Sequence, residues 1–114
     1  QNVMIYGYGG VFLGDRVCLS ADTKLYSLTS LPYNPFDKSE RVSILPYSGK
    51  SPTLTGAVVL EDNVWLGLGC LVSPGVYIGR DSFVRSFSVI NNSFSENSYI
   101  GGDPASFIKK RYDN

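Results

Sequence analysis

The 114 residues contain no histidine. That count removes an imidazole base and any three-histidine zinc site from consideration. The two cysteines, Cys18 and Cys70, lie far apart without a CxxC partner and read as free thiols in reducing surroundings rather than as a disulfide or a reactive pair. The carboxylates form no constellation with metal-ligand spacing, so no metal is expected, and no glycine-rich nucleotide loop opens the chain. What remains for chemistry are hydroxyls, a single tryptophan at Trp65 and a basic run near the end, Lys109-Lys110-Arg111. A hydroxyl alone is a poor proton acceptor near neutral pH, so the elements that position these groups must be read first.

Ten basic and ten acidic side chains cancel, which leaves no global field to attract nucleic acid or an anionic membrane. With 43% apolar and 18% charged residues the composition is that of an ordinary folded domain. Apolar runs such as Ala57-Val58-Val59-Leu60 are too short to span a bilayer. No basic segment followed by an apolar one opens the given sequence, so a cytoplasmic location is expected.

From Leu60 an aliphatic residue recurs every six positions: Leu60, Leu66, Val72, Ile78, Val84 and Ile90. Four residues after each stands a mostly small or β-branched one: Val64, Cys70, Val76, Ser82 and Ser88, with Phe94 closing the series. The same register appears earlier at Leu13, Leu19 and Leu25. A helix would repeat near 3.6 and a simple meander near 2; six suits a short strand plus a corner. Alternation along each strand points two side chains per hexapeptide inward. Three such faces close a triangular coil of eighteen residues, and roughly four coils fit the chain. The result is an all-β parallel β-helix forming a single domain over 1–114. Each coil touches only its neighbours, so a rod this short gains stability by packing side by side, and threefold association is the expected solution.

Leu25 to Leu60 is not a multiple of six, and the interval contains Pro32, Pro35, Pro46 and Pro52. A long loop extruded from one corner, about 28–57, is predicted there, and long ordered loops usually carry function or a subunit contact. After Tyr99, Ile100-Gly101-Gly102-Asp103-Pro104-Ala105 turns off the prism into a tail, about 101–114. Its segment Phe107-Ile108-Lys109-Lys110-Arg111 is expected to form one or two helical turns.

Leu60-Glu61-Asp62-Asn63-Val64-Trp65-Leu66-Gly67, then Val72-Ser73-Pro74-Gly75-Val76-Tyr77-Ile78-Gly79, resembles the hallmark of hexapeptide-repeat acetyltransferases. Gly101-Gly102-Asp103-Pro104-Ala105-Ser106-Phe107-Ile108-Lys109-Lys110 is similar to their C-terminal signature, with Asp103 where Asn is common. With Leu13-Gly14-Asp15-Arg16-Val17 the likeness covers about residues 11–111, and it is closest to the maltose, galactoside and capsular-sugar O-acetyltransferases. It implies a left-handed coil, an exception to the right-handed crossover rule. It also implies a homotrimer, acetyl-CoA as acyl donor, and a sugar or polysaccharide hydroxyl as acceptor.

In that family a histidine at the start of the long loop takes the acceptor's proton while backbone donors steady the oxyanion. The matching stretch here is Ser27-Leu28-Thr29-Ser30-Leu31-Pro32, which sets Ser30 on the histidine position. Three readings stand side by side: a degenerate family member, another base such as Asp37 or Glu40 in the loop, or a deliberate replacement of histidine. The resemblance further assigns cofactor contacts to Trp65, Ser86, Asn91, Lys109 and Lys110. Against these stand corner packing for Trp65 and a solvated tail for the lysines. Ser106 stands where a basic residue is usual. Arg85 and Phe87 replace glycines of the family's Gly-Ala-Gly-Ser run, either narrowing the groove or pointing outward. The alternative to the enzyme is a non-catalytic trimeric β-helix that scaffolds, or that binds a sugar or CoA.

Overall fold

The computed structural model describes residues 2–30 and 53–113. Their strands wind as four successive coils of a three-sided prism, and no helix occurs among the described residues. The first coil is β1 (Met4–Tyr6), β2 (Val11–Leu13) and β3 (Cys18–Leu19). The second begins with β4 (Lys24–Tyr26) and resumes, after the insertion, with β7 (Val58–Leu60) and β8 (Trp65–Leu66). The third is β9 (Leu71–Val72), β10 (Tyr77–Ile78) and β11 (Phe83–Val84). The fourth is β12 (Val89–Ile90), an isolated bridge at Phe94, and β13 (Ser98–Gly102), against which β14 (Ala105–Lys110) returns.

Three parallel faces follow. Face A stacks β1, β4, β9 and β12; face B stacks β2, β7 and β10; face C stacks β3, β8, β11 and β13, with β14 added antiparallel at its edge. Pairing sets Leu60 on Ile78, Leu66 on Val84 and Val72 on Ile90, each eighteen positions apart. That is the predicted coil length. Leu13 pairs with Leu60, Leu19 with Leu66 and Leu25 with Val72, each 47 apart. The interval equals one coil of eighteen plus 29 inserted residues, which explains why the period breaks and then resumes. The legs of the insertion, β5 (Leu28–Ser30) and β6 (Thr53–Thr55), pair antiparallel where it leaves the corner between faces A and B.

The inner columns form the core. Leu25, Leu60, Leu66, Val72, Ile78, Val84, Ile90 and Ile100 are fully buried. At three of the small positions, Ser82, Ser88 and Ser98, buried hydroxyls meet backbone groups left at the corners. Ser88 Oγ donates to Arg85 O at 2.8 Å and accepts from Gly102 N at 3.1 Å. Ser98 Oγ donates to Ser95 O at 2.7 Å, and Ser82 Oγ accepts from Ser98 N at 3.1 Å. No buried side-chain polar atom among the described residues lacks a partner.

Two expectations are corrected. Phe94 does not close the row of small residues; it pairs with Ile78 in the aliphatic column, sixteen positions on, and Ile100 pairs with Val84 at the same spacing. The corner after Ile90 is two residues short, and the Ser93 hydroxyl accepts the Tyr77 N–H at 2.9 Å where the longer corners use backbone. The basic tail is not helical. Beyond Gly102 (φ +110°) and the cis Asp103-Pro104 peptide bond, it reverses and adds to the free edge of β13 as a strand. A strand edge with unpaired amides satisfies the tail's backbone at once, whereas a short isolated helix is marginal in water.

Candidate functional site

Strand alternation sends the residue before each inner aliphatic outward. On face C that row reads Cys18, Trp65, Phe83, Tyr99 and then Lys109 on the returning strand. The aromatic rings stack along the prism axis. Trp65 meets Phe83 edge-on at 4.9 Å between centroids, and Phe83 meets Tyr99 at 5.2 Å. Lys109 Nζ stands 5.2 Å from the Tyr99 ring centre, a cation–π contact. Arg111 Nη1 donates to Asn63 O at 3.0 Å and Ser82 O at 3.3 Å, which anchors its guanidinium at the B–C corner of the second and third coils, 4.7 Å from the Tyr112 ring. Together these groups line a groove of about 320 Å³, aromatic along its floor, with Lys109 over Tyr99 and Arg111 along its side. Trp65 remains 45% exposed and reaches the Ser20 hydroxyl with its indole N–H at 3.4 Å.

Of the residues singled out from the sequence, Trp65 and Lys109 therefore share one row. Lys110 does not. It pairs with Ser98, whose side chain is buried, so alternation turns it to the other side of β14 from Lys109. Ser86 sits at the corner between faces C and A, where its Oγ accepts the Leu68 N–H at 3.1 Å. Asn91 stands at the corner between faces A and B, its Oδ1 accepting from Ser73 Oγ at 2.7 Å. Ser30 ends β5 at the base of the insertion, its backbone paired with Thr53. Asp37 and Glu40 lie outside the described residues. In a three-sided prism the A–B corner is opposite face C, so the insertion's base and Trp65 are held apart within one copy.

Arg85 and Phe87 both project outward at the C–A corner, flanking Ser86. Phe87 adopts φ +63°, is 74% exposed, and lies so close over Gly69 that a Cβ there would come within 2.6 Å of its ring. The Arg85 side chain covers Gly101 in the same way. Neither enters the prism.

Phe83, Tyr99 and Tyr112 escaped the sequence reading, and Arg111 entered it only as part of the basic tail. The signal was present for the first two: an aromatic residue directly precedes the inner aliphatic in Trp65-Leu66, Phe83-Val84 and Tyr99-Ile100. Face B carries a second outward row of Phe12, Val59 and Tyr77. The Glu61 carboxylate, hydrogen-bonded to the Tyr77 hydroxyl, pushes that phenol up from its usual value, with a lesser push from desolvation. Arg80 Nε lies 3.5 Å from Glu96 Oε1 at the B–C corner. Among the described residues no group of His, Cys, Asp or Glu is placed to hold a metal ion.

No family model matches the chain. Among curated proteins it is 34% identical over 114 residues to WbbJ of Escherichia coli strain K12, assigned by name to lipopolysaccharide biosynthesis as an O-acetyltransferase; the match takes in 96% of this chain and 58% of that protein. It is 37% identical over 104 residues to the galactoside O-acetyltransferase of Lactococcus lactis, covering 91% of this chain and 45% of the relative. The chain thus spans about half the length of the curated relatives it matches. Among solved structures, a hexapeptide-repeat acetyltransferase of Vibrio cholerae in complex with acetyl coenzyme A superposes with a TM-score of 0.78 at 25% identity, over 98% of this chain and 55% of that one. By coil and by register the chain is a hexapeptide-repeat, left-handed β-helix, and over nearly its whole length it is similar to acetyltransferases built on that repeat.

Proposed function

We propose that this chain is the β-helix of an acetyl-CoA-dependent O-acetyltransferase acting on a sugar or polysaccharide hydroxyl. The observation that carries the reading is the face C groove, whose chemistry fits a coenzyme A donor. Lys109 and Arg111 offer cations for phosphate oxygens, the aromatic floor takes apolar and π surface, and Ser86 offers a hydroxyl at the adjoining corner. Lys110, on the other side of its strand, makes a weaker phosphate ligand than the sequence suggested. Bound acetyl-CoA supplies an activated thioester carbonyl. The acceptor hydroxyl attacks that carbon, the C–S bond breaks, and the departing sulfur takes up a proton.

The protein's own task is to place the acceptor and remove its proton. By the family resemblance Ser30 falls on the histidine position, and a hydroxyl cannot accept that proton near neutral pH as imidazole does. The transferase is accordingly impaired. Because the insertion's base and Trp65 lie on opposite sides of one prism, a complete site needs a second copy. A homotrimer supplies one at each of three clefts. Two free thiols suit the reducing cytoplasm, and no helix among the described residues is long and apolar enough to cross a membrane.

A thiol-release assay with acetyl-CoA and a galactoside tests this. The protein as it stands should turn over slowly, and Ser30→His should raise the rate by about 10²–10⁴. An unchanged, measurable rate in the variant would show that position 30 is not the base position. The absence of histidine favours a second reading, a trimeric β-helix that binds coenzyme A or sugar without transfer. It predicts binding with no thiol released by either protein.

A further inference from the structure

We propose that Arg85, laid across Gly101 on the outer side of face C, anchors a diphosphate-binding site that it shares with Lys109 and the Ser106 hydroxyl. The inference rests on the reading of the face C groove given above and deepens it, since the diphosphate of coenzyme A is the group the site would take. The pairing of Val84 with Ile100 runs on to set Arg85 beside Gly101, with Arg85 N donating to Ile100 O at 2.9 Å, and Gly101 pairs in turn with Ser106. Residues directly opposite one another share a side of the sheet. Arg85, Gly101 and Ser106 therefore form a second outward row, next to the row of Phe83, Tyr99 and Lys109. Along β13 the two rows are two residues apart, about 7 Å.

Gly101 is buried although it lies on the outer side of the sheet, because the Arg85 side chain covers it. A Cβ at position 101 would collide with Arg85 Nε and stand 3.0 Å from Cζ and Nη2. The bare backbone is thus what seats the guanidinium against the sheet. That cation has no carboxylate partner among the described residues, where Glu96 pairs with Arg80. Arg111, by contrast, commits Nη1 to two backbone carbonyls. Ser106 is short and exposed, so it leaves the space beside the guanidinium open and adds a hydroxyl to it. On the adjoining row Lys109 stands over Tyr99. A guanidinium presents paired N–H donors to phosphate oxygens, whereas an ammonium acts as a point charge. Two such cations on neighbouring rows suit a ligand with two linked phosphates, one turned to each.

Calorimetry of the full chain, with inorganic pyrophosphate and with coenzyme A as separate ligands, tests the site. The wild type should bind both, in competition. Arg85→Gln should weaken both by about tenfold and flatten the salt dependence, and Arg85→Lys should restore part of the loss. Gly101→Ala should weaken both to a similar degree with its melting temperature kept, because the added methyl displaces only a flexible side chain. Arg80→Gln, whose cation faces Glu96 at the B–C corner, should bind as the wild type does. Pyrophosphate held through Arg85 with no binding of coenzyme A upholds the site and removes the donor reading. Equal affinities in the wild type and Arg85→Gln, an equal loss in Arg80→Gln, or no pyrophosphate bound by the wild type at millimolar ligand would each overturn the assignment.

Discussion

The two ends of the prism carry the same hexapeptide pattern and differ in what covers it. On face A the column Ile5, Leu25, Val72 and Ile90 runs from 45% exposed at Ile5 to fully buried at the other three. On face B, Leu13 is 44% exposed while its partners Leu60 and Ile78 are buried. The last coil escapes this exposure because β14 folds back, with Ala105 buried and Ile100 fully covered. Burial in a coil is thus conferred by the neighbouring coil, not by the residue's own place in the repeat. A hexapeptide reports which side chain points inward; only the stack decides how much that side chain contributes.

The largest expected effect breaks the middle of the stack. Leu66→Ala, fully enclosed between coils, should lower the unfolding free energy by about 2–5 kcal/mol in urea titrations. Gly69→Ala should cost less, about 1–2 kcal/mol, because φ is +65° there and the Phe87 ring must move aside. Gly75→Ala, at φ +81° with open space around its Cβ position, isolates the backbone contribution of about 1 kcal/mol. Leu13→Ala, at a half-exposed inner position of the first coil, should cost about 1 kcal/mol or less. If Leu13→Ala and Leu66→Ala destabilise equally, the difference drawn between the two regions is wrong. The smallest readout is chemical. Burial pushes the Cys70 thiol up, partly offset by backbone hydrogen bonds, whereas Cys18 is exposed. A thiol reagent at mildly alkaline pH should therefore modify Cys18 at once and Cys70 only on unfolding.

The coil was legible in the sequence because inner side chains must be apolar and the repeat is long enough to be counted. Its two departures were not. Phe94 sits six residues before Ile100 but only four after Ile90, and nothing in residue type announces a corner closed by the Ser93 hydroxyl. The tail's strand depends on an edge that β13 offers, a tertiary fact that local propensity does not contain. Trp65 and Lys109 were singled out through resemblance, while the outward places of Phe83 and Tyr99 needed only the hexapeptide register applied to the outward positions. Ser30 is assigned by resemblance alone, since its backbone is placed by pairing with Thr53 and its chemistry lies with the insertion.

Calorimetric titration of the protein with coenzyme A tests the central claim most directly. The account predicts saturable heat with one site per chain, weakened by Trp65→Ala and Lys109→Glu and little changed by Lys110→Glu. No heat at millimolar coenzyme A, under conditions where the protein is folded, would contradict it.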